Sequence, residues 1–352
     1  MTIAPRLLAV ATAVPPYALE QEEVVTRVKL LFGHSPHLER LLPVFVNSGI
    51  DRRYSCVPID WYSTPHGWPE RNRIYVASAL DLLESAARRA LDRAGLTPDR
   101  VDSIVVVSTT GIATPSLDAL LMERMGLRRT VRRLPIFGLG CAGGVMGFSR
   151  AATQAAAAPS ETVLFLVVEL CGLWFRRDDP SKSNIVATAL FGDGAAAAVL
   201  CCEGDGPAIV ASGEHTWPQS LDIMGWDVAE DGLKAIFSRD IPSLVTSELG
   251  RAVDGFLDRH RLAAADIDRF VCHPGGAKVL DALETAFALA PGALVEARRV
   301  LREFGNMSAA TVMFVLERVL EKAGRAGQGW RQALLTALGP GFSVGFAVLE
   351  NR

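Results

Sequence analysis

Residues 91–105, LDRAGLTPDRVDSIV, return in altered form at 257–271 as LDRHRLAAADIDRFV, 166 residues further on. The kept pairs are Leu91/Leu257, Asp92/Asp258, Arg93/Arg259, Leu96/Leu262, Asp102/Asp268 and Val105/Val271. Two further matches follow in the same order. Gly140-Cys141 falls against Gly305-Asn306, and FGDGAAAAVL (Phe191–Leu200) against LGPGFSVGFAVL (Leu338–Leu349), each of the last two a glycine turn feeding an apolar run. A repeat at this scale constrains the fold more than any single motif, because both copies must follow the same supersecondary path. It predicts two similar α/β halves with a boundary near Gly204–Gly213, placed here as 1–205 and 206–352.

Within each half, strands and helices alternate. Val101–Thr110 and Thr162–Leu170 are β-branched apolar runs of buried-strand type, and Tyr75–Gly95 carries apolar residues three and four apart, a helical spacing. Ser116–Met125 reads as another helix. This order implies a largely parallel sheet covered by helices on both faces. The 352 residues suffice for two core-bearing units, and 21% charged residues with 49% apolar ones exclude a disordered chain. A net charge of −3 gives no bulk attraction to nucleic acid or to an anionic membrane. Leu7–Val14, closed at once by Pro15-Pro16, reads as a first strand rather than a signal-peptide core. No apolar run reaches the roughly 20 residues of a membrane-spanning helix, so no membrane insertion is expected. Six cysteines without a CxxC argue against a disulfide framework or zinc site and for a reducing cytoplasm.

Cys141 stands among glycines in FGLGCAGGVMGFSRA, where an apolar run becomes an alanine-rich helical pattern. It reads either as a small buried hydrophobe or as a thiol placed at a helix N-terminus, where unpaired N–H groups favour a thiolate. His273 ends the strand Arg269–Cys272 and precedes Pro-Gly-Gly, the strand-end position where open α/β sheets place their sites. A satisfied structural histidine would look the same. Asn306, in EFGNMSAAT, is either a helix N-cap or an amide donor. If the two halves are related by a pseudo-twofold axis, Cys141 and Asn306 face each other. Cys, His and Asn together supply a nucleophile, its charge partner and two hydrogen-bond donors, the parts of acyl transfer through a thioester.

The motifs GCAGG, LFGDGAAA, HPGG, GNMSAAT and GPGFS, in this order and spacing, resemble those of the thiolase superfamily. HPGG with GNMS and GPG is similar to the type III polyketide synthases, the chalcone-synthase-like family. The resemblance implies a thiolase-like fold with two pseudo-symmetric halves in layered α-β-α-β-α order, a homodimer, and CoA thioesters as substrates with no cofactor or metal. It makes Cys141 the acyl-accepting nucleophile, His273 and Asn306 the pair that holds thioester carbonyls, and Phe191 the aromatic gate between CoA tunnel and cavity. Malonyl-CoA would lose CO2, and its enolate would attack the acyl group on Cys141. Thr109 and Ser308 join the substrate-binding candidates. Gly275 and Gly276 are expected at the pantetheine entrance, and Arg53 with Arg52 at the CoA phosphates or in surface salt bridges.

Two departures from plant members stand out. Gly345 replaces a buttressing glutamate after GPG, and the second gating phenylalanine falls on Ala235 or Ile236. The stretch Glu169–Gly194 resembles bacterial members that make alkylpyrones or alkylresorcinols from fatty acyl-CoA starters. Small residues at Ala187, Thr188 and Ala235 leave room for a long chain, while Trp174 and Trp226 fill space nearby. The alternative within the superfamily is a ketoacyl synthase III-like enzyme, which tends to carry HQAN and to meet an acyl carrier protein through a basic patch. Arg128, Arg129, Arg132 and Arg133 are the residues to supply one. A non-catalytic CoA-binding scaffold is the alternative from another class.

Overall fold

The computed structural model describes residues 4–230, 232–238, 240–323 and 329–351. The strands of the first half are β1 (Arg6–Ala13), β2 (Tyr17–Glu20), β3 (Arg52–Ser55), β4 (Val101–Val107), β5 (Arg132–Ile136), β6 (Thr162–Leu170) and β7 (Asp193–Cys201). Those of the second are β8 (Ala208–Thr216), β9 (Met224–Ala229), β10 (Gly232–Phe237), β11 (Arg269–Cys272), β12 (Gln332–Gly339) and β13 (Ser343–Glu350). Nine of them form one sheet in the order β11-β12-β13-β8-β1-β7-β6-β4-β5. Reading inward, β4-β6-β7-β1 and β11-β12-β13-β8 repeat one pattern, a parallel pairing followed by two antiparallel ones. Only one register pair, Arg6↔Ala208, joins the two sets.

The sheet is therefore mixed rather than largely parallel. Parallel pairing is confined to β4–β5, β4–β6 and β11–β12. For one pair the cause is connection length: β12 reaches β13 through the Pro340–Phe342 turn alone, and a turn that short permits only antiparallel return.

Every residue of β6 and β7 is buried, and their alternation feeds two cores. Val163, Phe165, Val167, Ala196 and Ala198 face the helices Gly143–Ala157 and Thr311–Ala323. Leu164, Leu166, Val168, Ala195 and Ala197 face the helix Trp68–Arg93. With period two, a shift of one residue would exchange these sets, so the register is set by both cores at once. Leu7–Val14 forms β1, and the second predicted helix forms at Leu117–Met125. No helix among the described residues is long and apolar enough to cross a membrane. The architecture is the thiolase-like α/β arrangement expected from the motifs.

Candidate active site

Cys141 lies in the single turn Gly140–Ala142, which runs directly into the helix Gly143–Ala157. The glycines around it are explained by contact. Gly140 has φ +48°, and a Cβ there would stand 2.6 Å from Cδ of Pro340. A Cβ on Gly339 would meet the Leu139 carbonyl at 2.5 Å, and one on Gly144 the Ala309 carbonyl at 2.2 Å. The GCAGG, GPG and SAA turns are thus one close-packed contact, with the starts of two equivalent helices pressed together. Thr109 supports it from below: its Oγ1 accepts from the Gly140 N–H at 3.1 Å, and its own N–H donates to Glu169 Oε2 at 3.0 Å.

The Cys141 Sγ donates to Ser308 Oγ at 3.4 Å. Two residues before Ser308, the Asn306 side chain is fixed at both ends. Its Oδ1 accepts from the Ser308 N–H at 2.8 Å, and its Nδ2 donates to the Gly275 carbonyl at 3.2 Å. The oxygen serves the turn, as a capping residue's would. The second N–H of the amide has no protein acceptor among the described residues. His273 continues β11, its N–H donating to the Thr336 carbonyl on β12 at 2.9 Å, and it is 5% exposed. Neither ring nitrogen has a hydrogen-bond partner among the described residues. Gly275 N–H donates to the His273 carbonyl at 3.1 Å, while Gly276 is the residue just before the helix Ala277–Ala286.

The charge state differs from the expected thiolate–imidazolium pair. Burial pushes the Cys141 thiol up to about 12, eased only partly by the Ser308 hydroxyl. Burial pulls the His273 imidazole down to about 4. The neighbouring carboxyl of Glu169, wholly buried, is raised by burial to about 8. With no opposite charge beside either group among the described residues, desolvation outweighs the helix N-terminus. Burial thus opposes the charged form of all three groups.

Phe191 is the residue after the helix Lys182–Leu190, and its backbone is bridged to that of Asn306. Its ring lies 6.0 Å from Trp226 and 5.7 Å from Phe237, centroid to centroid. Phe237 escaped the sequence reading. The second aromatic against Phe191 is not sought at Ala235 or Ile236 but two residues past Ala235, on the same face of β10. Trp226 sits opposite Ala235 in the β9–β10 register. Beside these rings opens a cavity with about 740 Å³ of empty space, its mouth included, walled by Leu19, Val24, Val28, Phe175, Ala187, Thr188 and Ala235. Trp174 and Trp226 also line it. Trp174 is held by its Nε1–H, which donates to the Thr110 carbonyl at 2.5 Å.

Arg53 corrects the expected phosphate contact. It is 4% exposed, and its guanidinium donates to the carbonyls of Thr188, Ala189 and Phe191 and to Gln21 Oε1. Its neighbour Arg52 is the exposed one, paired with Glu20 at 2.5 Å. Gly345 admits no side chain at all, since a Cβ would stand 2.9 Å from Met146 Cγ. Arg128, Arg129, Arg132 and Arg133 are each paired with a carboxylate: Asp102, Glu123, Glu161 and Asp118.

Comparison with known proteins follows this geometry. Residues 62–204 match the family "Chalcone and stilbene synthases, N-terminal domain", and 208–351 the corresponding C-terminal domain. The chain is 38% identical to a 1,3,6,8-tetrahydroxynaphthalene synthase of Streptomyces peucetius, covering 97% of this chain and 92% of that one. It is 28% identical to a phloroglucinol synthase of Pseudomonas fluorescens over 96% of each chain. The crystal structure of the tetrahydroxynaphthalene synthase of Streptomyces coelicolor, a bacterial type III polyketide synthase, superposes with a TM-score of 0.93 at 30% identity, over 99% of both chains. The chain belongs to the chalcone and stilbene synthases, and it is a type III polyketide synthase.

Proposed function

We propose that the protein condenses malonyl-CoA, with loss of CO2, onto an acyl-CoA starter held on Cys141, and that the starter is a fatty acyl group. The product is then an alkylpyrone or alkylresorcinol. In the loading step Cys141 Sγ attacks the starter's thioester carbonyl. Its proton passes to the neutral imidazole of His273 and on to the departing CoA sulfur. In the extension step the bond between the malonyl carboxylate and its methylene breaks, and CO2 leaves. The electron pair moves into an enolate whose oxygen takes hydrogen bonds from an imidazole N–H of His273 and the free amide N–H of Asn306. The enolate carbon attacks the Cys141 thioester, the sulfur leaves, and the lengthened chain returns to it from CoA for another round.

One observation carries this reading: both ring nitrogens of the buried His273 lack partners, and the Asn306 amide spends only one N–H, on Gly275, at the turn whose Ser308 hydroxyl meets the Cys141 thiol. A buried donor without an acceptor costs about 1–3 kcal/mol, so it marks a place prepared for an oxygen that arrives with substrate. The cavity beside Phe191, walled mostly by apolar side chains but edged by Arg27, Asn184 and Lys234, is what favours a long chain over the small aromatic products in the relatives' names. Pairing of the four arginines supports free CoA esters over carrier-protein delivery. The same reading makes the enzyme a cytoplasmic homodimer of chains divided at 1–205 and 206–352, with the thiol in one half and its two partners in the other. Incubation with malonyl-CoA and acyl-CoA starters of graded length, with products weighed by mass spectrometry, tests it. Absence of any starter-bearing product overturns it.

A further inference from the structure

Among the described residues, the Arg53 side chain meets no carboxylate. Its acceptors are the Gln21 side chain and three backbone carbonyls where the helix Lys182–Leu190 ends: Thr188, Ala189 and, just beyond it, Phe191. These belong to the carbonyls a helix leaves unpaired, at the negative end of its dipole. The next carbonyl, of Leu190, accepts from the Asn306 N–H at 2.8 Å, and the Gly192 N–H donates to the Asn306 carbonyl at 3.0 Å. The arginine stem is packed against this ladder. A Cβ on Gly192 would stand 3.2 Å from the Arg53 Cβ, and one on Gly305 would stand 3.4 Å from it. No side chain therefore separates Arg53 from the backbone on either side of the Phe191–Asn306 bridge.

We propose that Arg53 is a positioning residue that registers the Phe191 ring and the Asn306 amide as one rigid unit. The guanidinium fork spans several carbonyls at once, which a lysine ammonium on its flexible stem cannot do. Deep burial without an acid partner lowers even this guanidinium to about 10, a cost that the carbonyl contacts offset. The assignment rests on the proposed role of Asn306 in decarboxylation, but the geometry can be tested without it.

The test uses Arg53→Lys, which keeps the charge and loses the fork, and Gln21→Leu, which removes one acceptor and leaves Arg53 in place. Hydrogen exchange is read first. The Gly192 and Asn306 amides should exchange at least about tenfold faster in Arg53→Lys, with β6 amides unchanged, as local opening requires. Gln21→Leu should shift the same two amides by less, and it serves if Arg53→Lys does not fold. Unchanged protection at Gly192 and Asn306 in the folded variants overturns the proposal. Kinetics come second. In Arg53→Lys, kcat for malonyl-CoA decarboxylation should fall about ten- to a hundredfold with KM within about threefold. In an Asn306→Ala background the same substitution should cost nothing more. A raised KM at constant kcat would make Arg53 a CoA contact and overturn the positioning role. So would equal losses in both backgrounds. A wild-type protein that does not decarboxylate malonyl-CoA refutes the proposed function, while the exchange result still decides Arg53.

Discussion

In the proposed mechanism Cys141, His273 and Asn306 share the work unequally, and single substitutions test that division. Cys141→Ala should abolish product formation yet still release CO2 from malonyl-CoA, because the enolate needs only the two donors. Product from Cys141→Ala would end the nucleophile assignment, whereas the buried Cys201 and Cys202 should accept Ala with near-normal turnover. Asn306→Ala should slow decarboxylation by about 10²–10³-fold, the usual loss of one oxyanion donor. A normal rate would leave Asn306 as a turn-capping residue only. The pH profile follows from His273. Its neutral ring takes the thiol's proton, and burial holds that ring's pKa near 4. Acyl loading should therefore persist below the usual histidine range and fail only as pH drops through about 4. An acid limb at about 6.5 would place the imidazole in a far wetter setting. The three candidate positions were legible as candidates, since each stands in a short glycine-rich motif. Arg53 was misread because RRYS alternates, Arg52 out and Arg53 in, and a doublet does not say which face its second member takes. Phe237 was missed because the candidate position was taken at Ala235, two residues earlier on the same face.

At the scale of elements, the glycines of the helix start decide how closely the halves meet. In an exposed helix interior, Gly→Ala stabilises by up to about 1 kcal/mol. At Gly144 the sign should reverse, because the new methyl would lie 2.2 Å from the Ala309 carbonyl, and relieving such overpacking costs about 1–3 kcal/mol. Gly144→Ala should lower the melting temperature and depress condensation together. Gly225→Ala, with open space around it, should do neither. Equal behaviour of the two would show that the helix starts do not need their close approach. Buried strands were readable because β4 and β6 are rich in β-branched and apolar residues, and the helix from Tyr75 onward because of its spacing, although it starts seven residues earlier, at Trp68. The helix Gln21–Phe32 was not read. Its apolar residues face a third, smaller core with Phe45 and Ile185, partners distant in sequence. Sheet direction was misjudged because alternation of strand and helix does not fix strand direction: β6 and β7, joined through the helix Lys182–Leu190, run antiparallel.

For the whole molecule, the proposed starter preference and the proposed dimer each have a direct readout. If the cavity beside Phe191 holds the acyl tail, kcat/KM should rise from acetyl- to long-chain acyl-CoA, with each buried methylene contributing ~0.8 kcal/mol. Ala235→Trp should move the preference to shorter starters and spare malonyl-CoA decarboxylation. A flat response to chain length would refute the fatty acyl reading. For the dimer, β5 is one of the two edge strands of the sheet. Ile112 and Phe137, 53% and 61% exposed, follow the C-terminal ends of the parallel strands β4 and β5. Phe137→Asp should yield monomers in sedimentation, and an unchanged mass would place the contact elsewhere. The narrow seam at Arg6↔Ala208 carries a historical consequence. Each side of it repeats the other's strand plan, but the thiol belongs to one side and the imidazole and amide to the other. A half-length ancestor with this layout would have held only part of the chemistry in any one chain. It could have turned over substrate only as a pair, so fusion into a single gene would have preserved a partnership already in use.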